Sequence, residues 1–144
     1  MSETLPPTPD GVIAYVIVKG GVAAIDFYTR AFAAREIARR PTPDGRLMHA
    51  RLAINNGILM LSDDFPEYNN GKPSSPQPDQ PTGVLMHLQV ADCDAAYERA
   101  IAAGATPVMP PADMFWGDRY AQLRDPFGHR WSLATTLPGG SSAA

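Results

Sequence analysis

The sequence predicts an α+β fold built from two copies of a βαβββ module, and three observations carry that prediction. A strand, a turn and a helix recur in that order on either side of a Pro-rich segment. Each helix is followed by three strand-like stretches. An offset of 72 residues places Tyr15 on His87, Gly45 on Gly117 and Met60 on Ser132. A recurring order of elements marks an internal repeat. The offset slips locally to 71, aligning Leu52 with Leu123 and Gly57 with Gly128, so one turn differs by a residue.

The elements follow in order. Val12 to Lys19 is a β-branched apolar run, read as a strand. Gly20-Gly21 punctuates it, and from Val22 to Ala34 the residues Ile25, Tyr28 and Phe32 recur at helical spacing. Three strand-like stretches come next, near Glu36–Arg40, Leu47–Ile54 and Ile58–Ser62. Asp63 to Pro81 holds five prolines and no aliphatic residue, which reads as a linker or lid. Its large apolar anchors are Phe65 and Tyr68, expected either to fold over a cleft or to reach a neighbouring subunit. The second module opens with a strand at Val84–Val90. Asp92 or Asp94 caps a helix over Ala95–Ala103, and Gly104 stops it. Strands near Thr106–Met109, Arg119–Arg124 and His129–Thr135 complete it. The expected organisation is one domain over 1–144: a first module at 12–62, the linker at 63–81, a second module at 82–136 and a loose tail at 137–144.

Composition limits the function classes. With 144 residues the chain can bury roughly 68–70% of its unfolded surface, enough for a core without disulfides or a structural metal. A net charge of −3, from 12 Lys+Arg against 15 Asp+Glu, gives no broad basic field for nucleic acid. No run approaches the ~20 apolar residues of a membrane span, and the polar, Pro-rich start lacks the features of a secretory signal. The expected compartment is the cytoplasm. Cys93 has no partner cysteine and no base beside it in sequence, and reads as a small inert residue. Gly20-Gly21 alone does not make a Gly-rich nucleotide or methyl-donor turn.

Alternation divides each strand into two faces. Ala14, Val16 and Val18 share one face, against Ile13, Tyr15 and Ile17 on the other; Met86, Leu88 and Val90 similarly oppose Leu85, His87 and Gln89. Met48, Ala50, Leu52 and Ile54 oppose His49 and Arg51. Tyr120 and Gln122 oppose Ala121 and Leu123, and Arg130 and Ser132 oppose Trp131 and Leu133. With each helix outside its sheet, the inner faces present Tyr15, His49, Arg51, Met60, His87, Tyr120, Gln122 and Ser132. A concave surface of this mixed character is a ligand pocket by default. The alternative is a solvated edge or a dimer contact, especially at His49 and Arg51.

Four stretches carry a family resemblance: YVIVKGGVAAIDFYTRAF (15–32), MHARLAINNGILMLSDDFPE (48–67), HLQVADCDAAYERAIAAGA (87–105) and DMFWGDRYAQLRDPFGHRWSLAT (113–135). Together they resemble the vicinal oxygen chelate superfamily of glyoxalases, bleomycin-resistance proteins and dioxygenases, and within it the PhnB-like branch. The most specific is DPFGHRW, similar to the turn before the superfamily's last strand. The resemblance implies an eight-stranded, open curved sheet around a cleft, in a homodimer. It also implies four metal-ligand positions, which fall on Tyr15 (or Ile13 in another register), Met60, His87 and Ser132. Only His87 matches a usual ligand. A catalytic zinc or nickel site needs about three His, Glu, Asp or Cys side chains. The expectation is therefore no resident cofactor, with a divalent metal held by non-standard ligands as the open alternative.

Two functions follow. The first is a small-molecule binder acting by sequestration, with Phe115, Trp116 and Tyr120 as a stacking wall and Arg51 or Arg119 meeting an anionic group. The second is a lyase, isomerase or dioxygenase-type enzyme. It would use a metal or, without one, His87 as general base with Tyr15 or Tyr120 as hydrogen-bond donor. The expected partners are a small-molecule ligand and a second copy of the chain, with neither nucleic acid nor membrane.

Overall fold

A computed structural model describes residues 7–140. β1 (Ala14–Val18), α1 (Gly21–Phe32), β2 (Arg35–Pro41), β3 (Leu47–Ile54) and β4 (Gly57–Asp63) form the first module. β5 (Leu85–Gln89), α2 (Cys93–Ala103), β6 (Thr106–Asp113), β7 (Asp118–Arg124) and β8 (Arg130–Thr136) form the second. The eight strands divide into two four-stranded sheets of identical topology, β1-β4-β3-β2 and β5-β8-β7-β6; in each, the first and last strands of the module run parallel.

The register preserves the repeat residue by residue. Tyr15 pairs with Met60 and Met60 with Arg51 across the first sheet; His87 pairs with Ser132 and Ser132 with Gln122 across the second. Two of the three equivalences keep the offset of 72, and Arg51 to Gln122 takes the slipped value of 71.

Helix ends follow local chemistry. Gly20 takes a left-handed conformation (φ 106°) before α1, where no side chain at the cap position accepts the first amide protons. Asp63, at the end of β4, does so instead. Its Oδ1 accepts from the Gly20 and Gly21 N–H groups (2.8 and 3.0 Å) and its Oδ2 from the Leu47 N–H (2.7 Å). The Gly20-Gly21 turn is thus an anion cradle filled by the chain's own carboxylate. α2 is capped by Asp92, which accepts from the Ala95 N–H at 3.1 Å, and it stops at Gly104 (φ 125°).

One core serves both modules. Phe27, Tyr28 and Phe32 of α1 pack on Phe127 and Trp131 of the second module, with the Phe32 and Trp131 rings 4.6 Å apart. Asp125, in the turn before β8, is buried at this junction. Its Oδ2 accepts from Tyr28 Oη (2.6 Å) and Trp131 Nε1 (2.9 Å), and its Oδ1 from the Phe127 and His129 amides. Burial and then the Asp125 charge hold the Tyr28 phenol well above its ordinary pKa. His129 Nε2 also bonds the Ile17 carbonyl oxygen at 2.8 Å, and Asn55 donates to the Gln89 carbonyl.

Two details differ from the sequence reading. Met48 is 62% exposed while Leu47 is fully buried, because a register shift between Arg40 and Pro41 breaks the alternation where β3 begins. β6 continues through Pro110 and Pro111 to Asp113, which an edge strand with irregular register tolerates. The linker is pinned by side-chain hydrogen bonds. Asp64 accepts from the Ser74 and Ser75 amides and the Ser75 hydroxyl, and Arg124 donates to the Gln77 and Gln80 carbonyls. Phe65 lies under the Arg46 guanidinium (4.4 Å), which also forks onto Glu67, while Tyr68 is 85% exposed.

Candidate functional site

The inner face of the second sheet gathers a compact group. His87 on β5, Tyr120 on β7 and Ser132 on β8 share this face by strand parity, and the short turn between β6 and β7 brings Trp116 onto it. His87 Nδ1 lies 2.7 Å from Ser132 Oγ and Nε2 lies 2.8 Å from Gln89 Oε1. The amide oxygen of Gln89 only accepts, so the neutral imidazole carries its proton on Nε2 and takes the Ser132 hydroxyl hydrogen at Nδ1. The His87 and Tyr120 rings lie nearly parallel, 17° apart with centroids at 6.4 Å, and Trp116 meets Tyr120 edge-on at 5.5 Å. His87, Gln89, Trp116, Asp118 and Tyr120 line a pocket of about 370 Å³. Gln122 donates to Tyr120 Oη (3.0 Å) and accepts from Arg130.

Asp118 is the residue the sequence reading missed. Its place two positions before Tyr120 puts it on the same face, and that parity was the available signal. It is 2% exposed. Oδ2 accepts from Trp116 Nε1 at 3.1 Å, whereas Oδ1 has no hydrogen-bond partner.

The first module's candidates form a separate group. Tyr15 Oη bonds His49 Nδ1 at 2.9 Å, and Met60 stands between Tyr15 and Arg51 in the sheet. Arg51 donates to Thr8 of the segment before β1, an engagement within the chain rather than with a ligand. A cavity of about 680 Å³ lies along β1, walled by Tyr15, Met86, His129 and the Pro73–Gln77 stretch of the linker. None of the four first-module candidates lines the pocket around His87.

Two of the expected residues face elsewhere. Arg119 shares the parity of Ala121 and Leu123 and so lies on the helix side, where it forks onto Asp94 of α2 (2.9 and 3.0 Å) and reaches Asp113 (3.1 Å). Its pairing with Asp94 holds that carboxyl below the usual carboxylate range. Phe115, at the tip of the β6–β7 turn, is 98% exposed and touches Trp116 only edge-on. Cys93 is buried against the Leu133 carbonyl, and burial pushes its thiol up to about 11, so it is no nucleophile at neutral pH.

The four positions that would hold a metal do not suit one. Both His87 nitrogens are engaged, Met60 and Ser132 offer a thioether and a hydroxyl, and burial pushes the Tyr15 phenol above its ordinary value, away from phenolate. Among the described residues, no three His, Cys, Asp or Glu side chains converge.

Paired βαβββ modules, with equivalent rows of side chains on their first and last strands, define a class of proteins built on a duplicated fold. The chain belongs to the glyoxalase/bleomycin resistance protein/dioxygenase superfamily, whose family model matches residues 12–133. Mb0911c of Mycobacterium bovis, an uncharacterized protein, is 49% identical over 119 residues, which cover 83% of this chain and 78% of that protein. TioX from Micromonospora sp. ML1 is 29% identical with a TM-score of 0.63, covering 88% of this chain and all of TioX. PA1353 from Pseudomonas aeruginosa is 25% identical with a TM-score of 0.69, covering 90% of this chain and all of PA1353. The PhnB protein of Bacillus cereus, 14% identical with a TM-score of 0.66, covers 88% of this chain and shares its fold. No helix among the described residues is long and apolar enough to cross a membrane.

Proposed function

We propose that this protein is a PhnB-like, metal-independent binder of planar small molecules, acting in the cytoplasm by sequestration. One observation carries the reading: an aromatic wall of Trp116, Tyr120 and His87 surrounds a pocket whose imidazole is already engaged by its own chain. Stacking on such rings contributes about 0.5–1.5 kcal/mol per pair beyond area burial, enough to select flat ligands without covalent chemistry. A homodimer fits the exposed apolar side chains Tyr15, Leu85 and Met109 on the sheet faces, and light scattering on the purified chain reads the mass directly.

The test is equilibrium dialysis of untagged protein against Zn²⁺, Ni²⁺, Mn²⁺ and Fe²⁺, with bound metal and thermal shift measured for wild type and His87→Ala. Substoichiometric metal in both is the expected result. Stoichiometric metal that disappears in His87→Ala overturns the reading in favour of metal-dependent lyase or dioxygenase chemistry. A second reading rests on the Ser132–His87–Gln89 chain of hydrogen bonds, which orients an imidazole for proton transfer in a metal-free isomerase.

A further inference from the structure

Resting on the reading of this pocket as a ligand site, we infer that its ligand is a planar aromatic cation bearing an N–H donor, and that Asp118 is the residue that selects it. A carboxylate buried to 2% exposure normally has both oxygens satisfied, and Asp125 in the same fold accepts four hydrogen bonds. Asp118 has one donor, the Trp116 indole, and its Oδ1 has none. Leaving a charged oxygen unpaired in a site removed from water is costly, and a ligand that supplies the missing donor recovers that cost on binding.

The surroundings fix the sign of the ligand's charge. Neither Lys nor Arg lines this pocket, whose other members are His87, Gln89, Trp116 and Tyr120. Arg130 lies on the same face, outside the pocket lining; its guanidinium is engaged by Gln122, which stands between it and the Tyr120 hydroxyl. The Arg119 guanidinium is on the opposite face of the sheet, held by Asp94 and Asp113. Trp116 and Tyr120 supply the faces on which a cationic ring system is attracted as well as packed.

Trp116 stands beside this carboxylate in the pocket wall. The indole sits in the turn between β6 and β7, closed by the Gly117 amide bonding the Met114 carbonyl, and donates to Asp118 Oδ2.

Three tricyclic probes of one shape separate charge from stacking: 9-aminoacridine, a cation with N–H donors at neutral pH; acridine, neutral there; and anthracene-9-carboxylate, an anion. Calorimetric titration of the full chain should show 9-aminoacridine binding at least tenfold more tightly than the other two. Asp118→Asn should remove that preference while leaving acridine unchanged, and Trp116→Ala should weaken all three. Equal binding of the three by wild type, or preference for the anion, overturns the charge assignment while leaving the pocket as a ligand site. No binding of any tricycle overturns the pocket reading itself, and the assignment with it. The wild-type rank order decides the matter even where Asp118→Asn does not fold.

Discussion

Asp63 and Gly21 show how little room single positions leave in this fold. A Cβ on Gly21 would stand 2.7 Å from Asp63 Oδ2 and 3.1 Å from Leu47, both buried. Gly21→Ala should therefore destabilise by about 1–3 kcal/mol, the range for overpacking a filled site, as read from urea unfolding. Asp63→Ala strands three amide protons, two of them in buried bonds, and should cost about 3 kcal/mol or more. Tyr28 sets an alkaline limit. Its native pKa is raised by burial and by Asp125, so the folded state keeps a proton that the unfolded chain releases near pH 10. Stability is intact below that pH and falls as pH rises above it. Tyr28→Phe should flatten the dependence by one proton, about 1.4 kcal/mol per pH unit, in denaturation series run between roughly pH 10 and 12. At this scale parity was informative and incompletely used: the DRY triplet puts Asp118 and Tyr120 inward and Arg119 outward. What parity does not encode is the Arg119 fork onto Asp94 or the fold of the turn that brings Trp116 over Asp118, since both depend on contacts between elements.

Among the elements, the helices and strands were legible because their apolar residues recur at the periods of helix and strand, and Asp92 was one of two candidate caps. The end of α1 was less so. Ala33 there adopts a left-handed conformation (φ 56°) that a Cβ disfavours. Ala33→Gly should stabilise the protein by about 0.5–1 kcal/mol and raise the melting temperature by a few degrees. The linker was the least legible element, because its order comes from contacts distant in sequence, some of them from side chains outside it. Arg124 reaches into it from β7, and a Cβ on Gly128 would press to 2.7 Å from Pro76. Arg124→Ala should expose the 73–81 stretch to limited proteolysis, while the free energy of global unfolding changes by no more than about 1 kcal/mol.

For the whole molecule, the repeat predicted the topology. The equivalent rows read Tyr15, Met60 and Arg51 in one sheet and His87, Ser132 and Gln122 in the other. The halves share a core. With the α1 rings seated on Trp131 and Phe127, residues 82–144 expressed alone should lack cooperative unfolding by far-UV circular dichroism, whereas the intact chain melts in one transition. The ties across this junction also say where the molecule can flex. Tyr28 to Asp125, His129 to Ile17 and Asn55 to Gln89 are hydrogen bonds of 2.6–2.9 Å that a small drift between the halves would break. Hinge bending between the modules is thereby suppressed, so under the proposed binding role any adjustment to a guest would fall to the four-residue tip Met114–Gly117, a shutter on an otherwise stiff frame.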